Sequence, residues 1–320
     1  MHSEPLVSVV VPIFNGERYV LEAVNSVLAQ TYTEFELILV NDGSTDRTRA
    51  AIEPFLTLER VRYFEQPRRG PAAARNLALG HARGEIVAFL DHDDAWLPEK
   101  LELQVRYLGK HPDIGLVHGR MMYVDESGSP ISYEKDWVGA LEGECFAGLF
   151  ARNRIGTPTV AVRAACLTEV GPFNEALARA QDYELWLRLA KSCRFGFIDR
   201  PLARYRVHQA SWSNDLHYRT AGELGAIEST LDRFRDTPTI VGGRAVRARL
   251  HPLHAYMGRW CEWKVQDYRL ARAHYWKAWR SAPLHIRPLY HAIACRFSTP
   301  SLRRAVKWYW HRLTARAKRR

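Results

Sequence analysis

The sequence predicts an α/β fold, a mostly parallel sheet flanked by helices, followed by a C-terminal α-helical appendage. Three observations predict it. Short β-branched runs alternate with segments of helical periodicity through the first part of the chain. Asp, Asn and Gly collect where those runs end, and from about residue 215 onward the strand signal disappears. The expected division is residues 1–214 for the α/β domain and 215–320 for a helical, basic region.

Residues 6–14 (LVSVVVPIF) carry Pro12 and run into Asn15-Gly16, giving a buried first strand and a turn. Residues 17–30 then place Val20, Leu21, Val24, Val27 and Leu28 at helical spacing. A second strand over 35–40 (FELILV) ends in Asn41-Asp42-Gly43-Ser44-Thr45-Asp46, whose last three residues offer caps for a helix reaching Leu56. Val61 to Phe64 reads as a third strand. Arg68-Arg69-Gly70-Pro71 breaks the chain before an Ala-rich helix over 72–81. The fourth strand, 86–90, is a continuous apolar run of the kind buried on both faces of a parallel sheet. Beyond it the pattern predicts a helix over 100–110 and strand over 114–124. A strand over 159–162, a helix over 181–190 and two edge strands, 194–198 and 203–207, follow. The remaining helical patterns break near Pro238, Pro252, Pro283 and Pro300.

The fourth strand delivers Asp91-His92-Asp93-Asp94 at its carboxyl end, where open α/β sheets bind ligands. Three carboxylates in four positions raise one another's pKa, and a divalent cation relieves that repulsion. Hard oxygen ligands suit Mg²⁺ or Mn²⁺, bridging carboxylates to substrate phosphates. A helix starting near Pro98 gives Asp93 or Asp94 an alternative role as its cap, Asp94 above all. That accounts for one carboxylate and not for the cluster.

Other strand ends add to this edge. Asp42 can accept from a base N–H or a ribose hydroxyl, or serve only the Asn-Asp-Gly turn. Pro12 and Asn15 would lie beside it. Gly70 permits close backbone approach and Arg75 can clamp a diphosphate, though basic residues on a helix are often simply solvated. Asp182 stands at a helix start, as a capping residue or as a general base. His208 is a metal or phosphate ligand, or a structural histidine.

In this order the segments VSVVVPIFNGERYVLEAVNSVLAQTY, ELILVNDGSTDRT, RRGPAAARNLAL, GEIVAFLDHDDAWLPEKL, GPFNEALARAQDYELWLRLA and YRVHQASWS resemble the family-2 glycosyltransferases of the GT-A, Rossmann-like fold, over residues 6–213. The resemblance implies a metal-dependent, inverting transfer of a sugar from a nucleotide-sugar donor, UDP-sugars being the commonest, to a glycan or lipid-linked acceptor. It implies that Asp42 contacts the base, that Pro12 and Asn15 line that pocket, and that Arg75 approaches the diphosphate. Asp91 and Asp93 fill the Asp-X-Asp positions, with Asp91 and His92 on the donor and Asp93 on the metal. Asp182 matches the catalytic base, and His208 falls in the loop closing over the donor, where it joins the metal. Two positions depart from the family pattern: Gln181 stands where Glu is frequent, and Pro71 replaces a second Gly.

Net charge is +11, but residues 268–320 hold 14 of the 46 Lys and Arg and no Asp or Glu. The preceding chain is slightly acidic, with 32 basic against 35 acidic residues. The end of the chain interleaves Trp308, Tyr309 and Trp310 with basic residues, a pattern suited to an anionic membrane surface. No nucleic-acid motif accompanies it. No apolar run approaches the roughly 20 residues that span a bilayer, and five scattered cysteines lack CxxC spacing. The expectation is a cytoplasmic protein, peripheral on the inner face of the membrane. Two other readings remain at this stage. A sugar nucleotidyltransferase would want a Gly-rich phosphate loop after the first strand, and a silent sugar-nucleotide-binding module would normally have lost a metal carboxylate or the base.

Overall fold

The computed structural model describes residues 4–132, 140–208 and 215–296. The backbone divides into two compact units, Met1–Asn214 and Asp215–Arg320.

The first unit opens with β1 (Val7–Ile13), α1 (Val20–Leu28), β2 (Phe35–Asp42), α2 (Thr48–Ile52, prolonged by a 3₁₀ turn at Glu53–Phe55), β3 (Val61–Gln66), α3 (Pro71–His81) and β4 (Ile86–Phe89). Every residue of β1, β2 and β4 is buried, so their near-continuous apolar runs are those of strands covered on both faces. β1 lies between β2 and β4, parallel to both, and β3 continues the parallel set beyond β2. Parallel pairing brings the carboxyl ends of β1, β2 and β4 to one edge of the sheet. Val9, Val11, Leu37, Leu39 and Ala88 from the strands pack with Val20, Ala23, Val24 and Val27 of α1 in one core. That burial, about 1.5–3 kcal/mol for each fully covered aliphatic side chain, fixes where the loops emerge.

The unit continues through β5 (Ala95–Trp96), α4 (Lys100–Lys110), β6 (Ile114–Val124), α5 (Phe146–Ala151), a 3₁₀ turn at Thr157–Thr159, β7 (Ala161–Arg163), α6 (Ala164–Val170), α7 (Gln181–Ser192) and β8 (Arg194–Arg206). The sheet order is β3-β2-β1-β4-β7-β6-β8-β5. β7 is antiparallel to β4 and β6, β8 is parallel to β6, and β5 is antiparallel to β8. The sheet is therefore mixed beyond β4. The two edge strands expected over 194–198 and 203–207 are a single strand, β8, paired on both sides. Its pairing with β6 shifts register between Gly119 and Met121, opposite Ile198 to Ala203. That irregularity, with Pro201 in it, breaks the apolar pattern into two short runs.

The second unit is helical: α8 (Leu216–Arg233), α9 (Thr237–Val241), α10 (Gly243–Trp260), α11 (Tyr268–Ser281) and α12 (Ile286–Ala294), with a π turn at Cys261–Val265. Pro252 does not break a helix, as the sequence pattern had it; it lies inside α10. Pro300 and the aromatic-basic end of the chain lie outside the described residues.

Candidate active site

Asp91, Asp93 and Asp94 follow β4, Asn15 follows β1, and Asp42 is the last residue of β2. The order β2-β1-β4 sets these three strand ends side by side. Pro12 is buried in β1, paired in register with Val40. Asn15 is exposed with φ +48°, a conformation its short amide tolerates. Its Oδ1 accepts from the Thr45 backbone N–H at 2.9 Å, and its own N–H donates to Ser44 Oγ at 3.0 Å, tying the loops after β1 and β2 together. Gly16 must lack a side chain, because a Cβ there would stand 2.7 Å from His92 Cδ2. This brings the β1 loop against His92.

Asp42 is buried, and its two oxygens accept three hydrogen bonds. Gln66 Nε2 donates at 2.7 Å, and the backbone N–H groups of Arg69 and Gly70 each donate at 2.8 Å. A carboxylate has about four acceptor positions, so one direction stays open beside the loop that Asp42 anchors. Pro71, the departure from the family pattern, sits at the first turn of α3, where its fixed φ suits the helix and its missing N–H costs nothing.

Arg75 is buried on α3, with Nη2 donating to Asp91 Oδ1 at 2.5 Å and its guanidinium 5.5 Å from the Phe173 ring. Its Nε and Nη1 have no hydrogen-bond partner among the described residues. A buried guanidinium with two unsatisfied donors is costly unless an anion completes it. Asn76 holds the far side of this pocket, exchanging hydrogen bonds with the Phe173 backbone and donating to Glu175 Oε1.

The acidic turn divides into three environments. Burial raises the Asp91 pKa, opposed by Arg75 and reinforced by the negative charges of Asp93 and Asp182. Burial also works against ionised Asp93, but the hydrogen bond from His208 and the nearby His92 and His208 rings outweigh it, and its pKa falls below the ordinary value. His208 Nε2 stands 2.9 Å from Asp93 Oδ2, and its ring lies 5.3 Å from that of Tyr19. Asp94 corrects the sequence reading, because it caps no helix. It is fully buried, and its Oδ1 accepts the Arg206 backbone N–H at 2.9 Å. Burial, with repulsion from Asp93 and Asp91, pushes its pKa well above the ordinary value. The helix near Pro98 starts at Lys100, with Glu99 at its cap position.

Arg206 was not singled out in the sequence, although it lies inside a quoted segment. Its Nε donates to the Asp93 carbonyl at 3.1 Å, Nη1 to the Asp125 and Glu126 carbonyls, and Nη2 pairs with Glu22. It clamps the acidic turn to the end of β8, two residues before His208.

Asp182 is the second residue of α7. Its Oδ2 accepts from Thr157 Oγ1 at 2.7 Å and its Oδ1 from the Tyr183 N–H at 2.8 Å. Ala180, immediately before α7, has φ +53°. An alanine held in the left-handed region costs about 1–2 kcal/mol. The strain is confined to the turn that presents Asp182. Thr157, which fixes the carboxylate, carried no signal in the sequence. Asp182 is close enough to Asp91 for the two charges to repel. The structure thus brings Asp91, Asp93, Asp182, Arg75 and His208 into one acidic locus walled by Tyr19 and Phe173. Asp42 and Asn15 sit on the adjoining strand ends.

Among the described residues no three His, Cys, Asp or Glu side chains form a ready-made metal cage. The donor set nonetheless suits a hard divalent cation completed by phosphate oxygens: an ionised Asp93 paired with an imidazole, beside an Asp91 whose charge is opposed by its acidic neighbours.

The family model for "Glycosyl transferase family 2" matches residues 8–166. A relative from Escherichia coli, the UDP-Glc:alpha-D-GlcNAc-diphosphoundecaprenol beta-1,3-glucosyltransferase WfgD, is 31% identical over 218 residues, covering 66% of this chain and 80% of its own. The chain belongs to glycosyltransferase family 2. An uncharacterized glycosyltransferase of Rickettsia felis is 32% identical over 244 residues, 71% of this chain, and the match spans only 40% of that protein. Among solved structures, S. aureus TarS 1-349 in complex with UDP-GlcNAc superposes with a TM-score of 0.65 at 21% identity, over 96% of this chain and 91% of that one. The mannosyltransferase PcManGT from Pyrobaculum calidifontis, in complex with GDP-Man and Mn2+, gives 0.62 at 20% identity, over 98% and 81%. At these identities the likeness establishes the fold, which is the GT-A fold of this family.

Proposed function

We propose that this chain transfers a sugar from a nucleotide-sugar donor, a UDP-sugar, to a hydroxyl of a glycan or lipid-linked acceptor, with inversion and with help from a divalent cation. The observation that carries the reading is the placement of Asp182. It lies 91 residues from Asp91 in sequence, yet the two carboxylates stand within repulsive range. That proximity supports a base beside a phosphate-metal locus, the minimum that a single displacement at the anomeric carbon requires.

In this reading Asp182 takes the proton of the incoming hydroxyl, oriented by Thr157 and by the Tyr183 N–H. Arg75 offers its two unsatisfied donors to the leaving diphosphate. Asp42 uses its remaining acceptor direction for the base, with Pro12 and Asn15 beside it. Asp93, Asp91 and His208 would hold Mn²⁺ or Mg²⁺, and His92 would line the donor pocket. The cation, when bound, supplies charge neutralisation at the diphosphate. The donor type of WfgD and the Mn2+ of the PcManGT complex support this assignment. The basic C-terminal region would bring the chain to an anionic cytoplasmic leaflet, where lipid-linked acceptors reside. Among the described residues no helix is long and apolar enough to cross a membrane.

The test is a panel of nucleotide-sugars assayed for transfer with Mn²⁺, with Mg²⁺ and with chelator, using wild type and Asp93→Ala. One donor should turn over only with metal, and Asp93→Ala should lose that turnover. Turnover that is indifferent both to chelation and to Asp93→Ala would remove the metal from the reading.

A further inference from the structure

The second unit concentrates exposed apolar side chains. Of twelve exposed large hydrophobic residues among those described, ten belong to it. On α11, Arg269, Arg272 and Trp276 recur at helical spacing on one face, while Ala271, Tyr275 and Ala278 on the other face are buried. α12 contributes Ala292 and Ile293, and Arg296 follows it. Together these residues line a groove of about 430 Å³. Three arginines meet in this groove, and no carboxylate lines it. Trp276 and Ile293 are each 46% exposed, and the connection between the two helices leaves Leu284 94% exposed.

We propose that this groove docks the chain on an anionic bilayer. Arg269, Arg272 and Arg296 take the phosphate of an anionic lipid headgroup, and Trp276 and Ile293 lie at the interfacial level. Guanidinium groups bind phosphate in paired hydrogen bonds, and indole and aliphatic side chains beside them suit the boundary between headgroup and acyl chain. Charge selects this occupant over the alternatives. Residues 297–320 hold eight Lys and Arg and no acid, so they cannot neutralise the groove. A second copy would oppose arginine to arginine. A nucleic acid would use the arginines and Trp276 but would gain nothing from exposed Ile293 and Leu284. The proposal needs no part of the transfer reaction; it rests on the reading that the basic C-terminal region meets an anionic leaflet, and it assigns that contact to the groove of α11 and α12.

The test uses the full chain, with its C-terminal end intact, and co-sedimentation with phosphatidylcholine vesicles with and without phosphatidylglycerol. Arg269→Ala/Arg272→Ala/Arg296→Ala should weaken binding to the anionic vesicles by about a hundredfold, as the loss of three basic contacts implies. The corresponding triple Lys variant keeps the charge but not the paired hydrogen bonds and should recover only part of the binding, and Trp276→Ala should lose part of it. All three arginines are exposed, so thermal melts should not move. Soluble glycerol phosphate at the same phosphate concentration as the vesicles should leave vesicle binding unchanged, because it lacks the interfacial contacts of Trp276 and Ile293. Four results would each overturn the proposal: triple-Ala binding at the wild-type level, no preference for phosphatidylglycerol, displacement by glycerol phosphate at that matched concentration, or tighter binding to single-stranded DNA than to vesicles.

Discussion

Thr157→Val removes one oxygen atom and leaves a side chain of nearly the same shape. The Thr157 hydroxyl is buried and donates to Asp182 Oδ2 at 2.7 Å. The other restraint on that carboxylate is the Tyr183 N–H on Oδ1. Valine is also β-branched, so the 3₁₀ turn keeps its backbone, and the bond from Thr159 Oγ1 to the Gly156 carbonyl is untouched. A hydrogen bond to a charged group contributes about 1.5–3 kcal/mol. If that energy holds Asp182 where the acceptor hydroxyl must arrive, kcat falls by about ten- to a hundredfold. The donor does not touch this bond in the proposed arrangement, so its KM should stay constant. Thr157→Ser keeps the hydroxyl and should recover most of the rate. The assay is initial-rate transfer across donor concentrations for the three proteins, with thermal melts as a control for folding. A wild-type kcat in Thr157→Val, or a loss that falls on the donor KM instead, would refute the positioning role.

Two further predictions concern the frame. Arg188 and Glu184 of α7 are 1% and 2% exposed. Arg188 Nε donates to both Glu184 oxygens, at 3.0 and 3.1 Å, and the guanidinium also donates to the Val170, Gly171 and Pro172 carbonyls. Arg188→Met removes the ion pair of a buried carboxylate and should cost about 3–5 kcal/mol in urea melts; a loss under about 1 kcal/mol would contradict that. His118 is buried on β6, and burial lowers its pKa to about 4. The unfolded chain therefore binds a proton more readily than the folded one once pH falls below about 6.5. From there to pH 4 the fold should lose about 3 kcal/mol at this site, and His118→Phe should flatten that part of the profile. An unchanged slope in the variant would show that His118 is not the group responsible.

The parallel half of the sheet was legible because burial on both faces leaves an unbroken apolar run in β1, β2 and β4. The acidic turn was legible because three carboxylates at a strand end have few structural uses. β8 was misread because its irregular register around Pro201 hides the continuity that pairing on both sides supplies. Pro252 was misread for a related reason, since tertiary packing holds α10 together across a residue that weakens an isolated helix. Asp94 was given to a cap because its actual partner, the Arg206 backbone N–H, lies 112 residues away. The bonds through which Thr157 and Arg206 shape the site are long-range and leave no local spacing to read. Arg75 was anticipated as a diphosphate ligand, but its ion pair with Asp91 and its two unfilled donors emerge only from the packing of α3 on β1 and β2, which sets Arg75 beside the turn after β4.

The most direct test of the account is the Asp182→Asn variant, measured for donor binding and for single-turnover transfer. Asparagine keeps the shape of the side chain and an acceptor oxygen but cannot take a proton. The account predicts donor binding equal to wild type, with transfer slowed by about a hundred- to ten-thousandfold. Transfer at the wild-type rate with donor binding intact would contradict the assignment of Asp182 as the base.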